Sequence, residues 1–252
     1  MKRDQIYPSF FARFYDTIYH QMRDNTDHEY FMKKIKSVQG PVLEVGVGTG
    51  RFFKDAREQG LDIYGIDNSP AMIDVLKQKL PQDDHHRVQL QDFRSMHFDT
   101  QFDLIIAPFR VFMHLLTIED QLQALKQAFA CLHEGAYFIF DLFIPDLNML
   151  INGLDNVKDF DGEFAAGKKV RRYVTMKADI INQLSNIDFR MEWEEDNQLH
   201  QDTWHTALRF FFRHELELLL KLSVFEHSEI YGDFDENPLD NTSKEFIVHC
   251  RK

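Results

Sequence analysis

LEVGVGTGRF, residues 43–52, sets three glycines at alternate positions directly after a hydrophobic run and before a helix-compatible segment. Glycine lets the chain turn through left-handed conformations and lets a ligand approach the main chain, so the stretch reads as a strand, a ligand-facing turn and a helix N-terminus. The flanks extend the pattern. PVLEVG is a strand, RFFKDAREQG a helix closed by Gly60, and LDIYGID a second strand, together a βαβ unit. Ser69 caps the next helix and Pro70 opens it, with Ala71, Met72, Val75 and Leu76 on one face. RVQLQD and FDLIIAPF are further strands, and the unbroken LIIA implies a parallel strand covered on both faces. Thr117 caps a helix that turns Leu122, Leu125, Phe129 and Leu132 to the core, and Gly135 ends it ahead of the strand AYFIFDLF. Successive strand-helix units predict an α/β fold with a doubly wound, mostly parallel sheet.

After Pro145 the periodicity changes. Ile187, Phe189, Met191 and Trp193 alternate with Asp188, Arg190, Glu192 and Glu194, the pattern of a strand buried on one face. Asp196 and Asn197 supply turn chemistry, and Trp204, Thr206, Leu208 and Phe210 resume the alternation, which predicts a hairpin with KKVRRYVTM as a third strand. Residues 160–209 are therefore expected to form an antiparallel β insertion within a single domain, 1–252. The chain then returns to a helix through ELELLLKL and to two strands, SVFEHSEIYG and KEFIVHCRK. The aromatic-rich residues 1–37 precede the core as a helical cap.

Composition narrows the function classes. The 252 residues are 44% hydrophobic, ample for a buried core. With 29 Lys plus Arg against 41 Asp plus Glu, the net charge of -12 opposes the phosphate neutralisation on which nucleic-acid binding depends. The two cysteines make neither a disulfide framework nor a zinc pattern. The run DDHHR at 83–87 lacks matching ligands, so no metal is expected. The N-terminus carries no apolar leader and no run is long enough to span a bilayer, which points to a cytoplasmic protein with no membrane partner.

Three readings compete for the glycine turn. A phosphate P-loop needs Lys followed by Ser or Thr at the helix start, where this chain has Arg51 and Phe52. A dinucleotide fingerprint needs its third glycine at position 51, which is arginine, although Asp67 stands near the expected ribose position. An NAD-dependent oxidoreductase stays open as an alternative on Asp67 alone. The third reading joins Glu44, Gly46, Gly48 and Gly50 to Asp67 in YGIDNSPAM and to Asp92-Phe93 after the third strand. This combination resembles the class I S-adenosylmethionine-dependent methyltransferases, over about the whole chain in element order. The resemblance implies a Rossmann-like, seven-stranded sheet closed by the last two strands as a reversed hairpin. It also implies S-adenosyl-L-methionine as cofactor and S-adenosyl-L-homocysteine as product. In that setting the glycines make room for the methionyl and ribosyl groups, Asp67 accepts the ribose hydroxyls, and Asp92 accepts from the adenine amino group. Asn68, Met72 and Phe93 would line the adenine, and Tyr15 joins the cofactor set.

The segment FYDTIYHQMRDNTDHEYF and the stretch PFRVFMHLL look similar to small-molecule methyltransferases, including those that N-methylate amino-sugars. The positions that lie beside the transferred methyl there match Tyr19 and His114. The sequence departs from the sugar enzymes at Arg110 and Val111, where hydroxyl side chains are common. Arg110 suits an anionic acceptor and His114 a general base, while a helix-capping His114 and an ion-paired Arg110 are the structural alternatives. Methyl transfer to a nitrogen or oxygen of a small metabolite is the expected activity. A non-catalytic S-adenosylmethionine-binding sensor or partner subunit is the alternative, and the intact Glu44-to-Asp67 set favours the enzyme. The apolar face from Ile187 to Trp193 is expected to wall the acceptor pocket, to pair with a second copy in a homodimer, or simply to cover the core.

Overall fold

Val42–Val45 forms β1, buried along its whole length at the centre of the molecule. The computed structural model describes residues 5–22, 24–196 and 198–252. β1 pairs in parallel with β2 (Ile63–Asp67) on one side and β4 (Phe102–Ala107) on the other. β3 (Val88–Leu90) follows β2, and β5 (Leu132–Phe143) follows β4. Two C-terminal strands, β10 (His227–Tyr231) and β11 (Glu245–Arg251), form a hairpin, and β11 lies antiparallel to β5. The order is β10-β11-β5-β4-β1-β2-β3, so the chain switches direction of growth between β1 and β4. A crevice opens beyond the carboxyl ends of strands at such a switch, and it is here that open α/β sheets bind ligands.

Alternation along the strands feeds two cores. Leu43, Ile105 and Phe138 face Leu125 of α5 (Ile118–Cys131) and Leu216 of α7 (Arg213–Leu222). Val42, Ile63 and Leu104 face Phe31 of α2 (Thr26–Lys36), Phe53 of α3 (Arg51–Glu58) and Leu76 of α4 (Pro70–Lys77). The Ser69 cap is present, its hydroxyl accepting the Met72 N–H at 3.2 Å, and Thr117 caps α5 by accepting the Asp120 N–H at 3.1 Å. No helix among the described residues is long and apolar enough to cross a membrane.

Several local expectations are corrected. α4 buries Met72, Ile73 and Leu76, while Ala71 and Val75 are half-buried flanks. In α5 the deepest strip is Ala124, Leu125 and Ala128, because small residues allow the helix to approach the sheet, and Leu122 and Phe129 flank it. α5 ends at Cys131, and Leu132 already belongs to β5. Gly135 is therefore inside the strand, at φ +80°, where its N–H donates to the Lys252 carbonyl at 3.0 Å.

The insertion is a four-stranded antiparallel sheet rather than three strands: β6 (Leu154–Ala165), β7 (Lys168–Asp179), β8 (Leu184–Glu195) and β9 (Gln198–Arg209). It starts at Leu154, ahead of the expected 160. β6 is an edge strand with most residues exposed, so it lacks the alternation that marked its neighbours. Asp196 takes a left-handed φ of +53° in the β8–β9 turn, and Asn197 lies outside the described residues. α6 (Leu147–Asn152) joins this sheet to β5. One face of the sheet, with Val170, Met191 and Trp204, packs on Phe11, Phe14 and Ile18 of α1 (Ser9–Met22).

Candidate active site

The turn after β1 is made from left-handed glycines. Gly46 has φ +69° and lies so close to Val111 that a Cβ would stand 2.3 Å from its Cγ2. Gly48 has φ +54°, and a Cβ there would meet only the Gly46 carbonyl oxygen, at 3.9 Å, which leaves its main chain accessible. Its N–H donates to Asp67 Oδ2 at 2.9 Å, and the Ser69 N–H donates to Oδ1 at 2.8 Å. Asp67, at the carboxyl end of β2, is 8% exposed, and burial lifts its pKa to about 6 against the opposing pull of those N–H groups.

These groups open on a cavity of about 320 Å³ in the crevice beside β1. Gly46, Gly48, Asp67, Asn68, Met72, Asp92, Phe93 and Tyr15 all line it. Glu44 and Gly50 do not. Glu44 is buried behind the turn, where it accepts the Phe53 N–H at the start of α3, and its pKa is driven well above the usual carboxylate range by burial. Its Oε2 has no hydrogen-bond partner among the described residues. Gly50 instead packs against Leu76, which a Cβ would meet at 2.1 Å. Both shape the turn from behind.

Asp92 caps a short 3-10 turn by accepting the Arg94 N–H at 2.8 Å. It also accepts from the Arg94 guanidinium, Nε at 2.9 Å, and that partner holds its carboxyl below the usual range. Arg94 bonds Asp120 as well, at 3.2 Å, so this cation at the cavity wall is matched by two carboxylates. Sequence reasoning missed it, although its place two residues after Asp92 was the available signal.

His114 lines the cavity at the end of the 3-10 turn Val111–His114. Its Nδ1 lies 3.0 Å from Gln5 Oε1 and its Nε2 3.4 Å from the Tyr7 hydroxyl. Donation from Nδ1–H to Gln5 leaves Nε2 as an acceptor. Burial lowers the pKa to about 4, so the ring is neutral near pH 7. Tyr7 and Gln5, which also line the cavity, were not singled out in the sequence. The Ser69 hydroxyl donates to the Tyr7 carbonyl at 2.8 Å, fixing this segment over the start of α4.

Tyr19 stands one layer back from the cavity, its ring 4.5 Å from Tyr15 and 5.5 Å from Phe109, beneath the Arg172 guanidinium at 5.0 Å. Arg110 is a correction. Its left-handed backbone, φ +65°, carries the side chain to Glu245 at 2.5 Å and to Asp141 at 3.7 Å, and it does not line the cavity. Its charge is matched by the buried Asp141 and the part-buried Glu245, so it offers no free cation for an anionic acceptor. The inserted sheet does not line this cavity either. With α6 it encloses a second one, about 230 Å³, walled by Val174, Met176, Ile187 and Phe189.

Residues 42–135, from β1 into β5, match the model of a methyltransferase domain. The chain is 25% identical to the putative methyltransferase YqeM of Bacillus subtilis, over 94% of this chain and 95% of that one. Two solved structures share the fold at lower identity. The CcbJ methyltransferase from Streptomyces caelestis superposes with a TM-score of 0.76 at 21% identity, covering 98% of this chain and 99% of that one. CalS10, an amino pentose methyltransferase from Micromonospora echinaspora solved with S-adenosylmethionine bound, gives 0.66 at 17%, covering both chains fully at 100%.

Proposed function

For a chain that is an S-adenosylmethionine-dependent methyltransferase, we propose that the methyl acceptor is a nitrogen or oxygen of a small metabolite, presented to the cavity beside His114. The cofactor, when bound, supplies a methyl group on a positively charged sulfur. The residues present fit it. Asp67 accepts the backbone N–H groups of Gly48, Asn68 and Ser69, and its two carboxylate oxygens together have a further lone pair for the ribose hydroxyls. Gly48 leaves the main chain open beside the carboxylate. Phe93, held edge-on to Phe138 at 5.7 Å, gives a flat apolar wall for the adenine, with Met72 beside it. Asp92 keeps its orientation through Arg94 and would accept from the adenine amino group.

The observation that carries the reading is an imidazole at the wall of that cavity, held by Gln5 on one nitrogen and facing the Tyr7 hydroxyl with the other. His114 Nε2 is free of a proton near neutral pH, is oriented by Gln5 and faces the Tyr7 hydroxyl at 3.4 Å, so it would take up the proton that an attacking amine or hydroxyl loses, directly or through that hydroxyl. Tyr19 would act behind Tyr15 by shaping the wall. The preference for an anionic acceptor is withdrawn, since it rested on Arg110. Of the expected 1–37 cap, residues 1–4 and 23 lie outside the described residues; residues 5–22 and 24–37 serve in this reading as the cap, with Tyr7 and Tyr15 lining the cavity, and the inserted sheet packs on that cap through α1. A homodimer through the inserted sheet stays a proposal, resting on exposed Val157 and Leu199.

The test is to incubate the protein with methyl-labelled cofactor and a metabolite extract, then identify the labelled products. A small molecule with a new N-methyl or O-methyl group is expected. Label found only in protein or nucleic acid would overturn the small-metabolite reading.

A further inference from the structure

Phe109 and Arg110, directly after β4, both have left-handed backbones, at φ +59° and +65°. Neither is glycine. Side chains with a Cβ rarely adopt this conformation, and two in succession persist only where the surroundings enforce it. The enforcing group is Asp141. In the β4–β5 register the last pair is Ala107 with Phe140, so Asp141 lies one residue beyond the end of β4, level with the loop. It is fully buried, and its Oδ1 accepts the Phe109 N–H at 2.5 Å. Its Oδ2 stands 3.7 Å from the Arg110 guanidinium. Glu245, opposite Phe143 on β11, projects from the same face as Asp141 and holds the other end of that guanidinium at 2.5 Å.

Directly after Arg110 the chain builds the cavity wall. The Arg110 carbonyl accepts the Met113 N–H at 2.9 Å and so starts the turn that ends at His114. Phe109 lines the cavity and meets Tyr19 edge-on, and Val111 fits the space left by Gly46. A chain that left the left-handed region at Phe109 or Arg110 would swing these side chains away together.

We propose that Asp141, with Arg110 and Glu245, is a positioning clamp that holds the Phe109–Arg110 elbow left-handed and thereby fixes Phe109, Val111 and His114 against the bound cofactor and acceptor. Asp141 touches neither ligand and acts through the loop. The proposal rests on the placing of the cofactor and acceptor in this cavity, and wild-type binding of S-adenosylhomocysteine checks that separately. Failure of the wild-type protein to bind it would break the cofactor assignment.

The test measures S-adenosylhomocysteine affinity by calorimetry, with thermal unfolding as a parallel readout, in the full-length Asp141→Ala and Asp141→Asn proteins. The Ala variant loses both contacts and should bind about tenfold more weakly, while Asn keeps an acceptor for the Phe109 N–H and should lose about threefold. The discriminating variant adds Arg110→Gly to Asp141→Ala. Glycine adopts the left-handed region freely, so it should restore part of the lost affinity although the ion pair is gone and Phe109 keeps its own left-handed φ. A group that served only stability would lower the unfolding temperature and leave affinity unchanged, which overturns the proposal. Lost affinity that Arg110→Gly does not recover even in part overturns it as well. If Asp141→Ala does not fold, the same comparison is made with Asp141→Asn and its Arg110→Gly double variant, with the same two overturning results.

Discussion

Asp67 and Met191 are both buried, yet they are held in different ways. Asp67 takes its partners from Ser69, two residues on, and from Gly48, at the other end of a βα unit. Met191, in the middle of β8, is enclosed by Phe11, Phe14 and Ile18 of α1 together with Val170 and Trp204. One environment is assembled from main-chain N–H groups and turns that a short stretch of sequence dictates. The other comes from side chains that meet only after the chain has folded back across most of its length. The cofactor region should then respond to changes in hydrogen bonding and charge, and the inserted sheet to changes in packing volume.

The largest effect is expected at His114, on the wall of the cofactor region where the proposed proton acceptor stands. His114→Ala should slow methyl transfer to the identified acceptor by about 10²- to 10⁴-fold, the usual worth of a general base, while S-adenosylhomocysteine affinity stays close to wild type. Steady-state kinetics with calorimetry will show this, and equal loss of both would make His114 part of the cofactor site instead. Next in size is Met191→Ala, which removes a fully buried side chain and should cost about 2–5 kcal/mol of stability. Denaturant unfolding measures that cost, and cofactor affinity in the folded variant should not move. An affinity that falls with stability would dissolve the distinction between the two regions.

A smaller effect comes from pH. The Asp67 pKa of about 6 means that its carboxylate gains a proton as pH falls through that value, losing acceptor capacity for the ribose hydroxyls. S-adenosylhomocysteine affinity should therefore be level above pH 7 and weaken by about tenfold between pH 7 and pH 5. Asp67→Asn should be weaker throughout and lack that slope. A profile that keeps the slope in Asp67→Asn would assign the proton to another group.

The same contrast explains what the sequence made legible. The order of the main sheet follows from strand and helix periodicity together with the glycine turn, and the cavity-lining set from Gly46 to Phe93 follows from local motif. Glu44 and Gly50 belong to that motif but act from behind the turn, because motif membership does not specify which way a side chain faces. β6 was legible only in part, since an exposed edge strand has no apolar alternation to read. Arg110 was misread for a different reason. Its left-handed backbone turns it away from the cavity, and its partners Asp141 and Glu245 come from β5 and β11, which the local stretch PFRVFMHLL does not contain. Tyr7 and Gln5 reach His114 from more than a hundred residues away, a contact that no spacing rule marks.

The most direct measurement is a calorimetric titration of the wild-type protein and of Asp67→Ala with S-adenosylhomocysteine. Binding to the wild type and a loss of about 1.5 to 3 kcal/mol in the variant, roughly 10- to 150-fold in affinity, is the expected result for removing a charged hydrogen-bond acceptor. Equal affinities in the two proteins would contradict the placing of the cofactor's ribose on Asp67, and with it the reading of the glycine turn as its cradle.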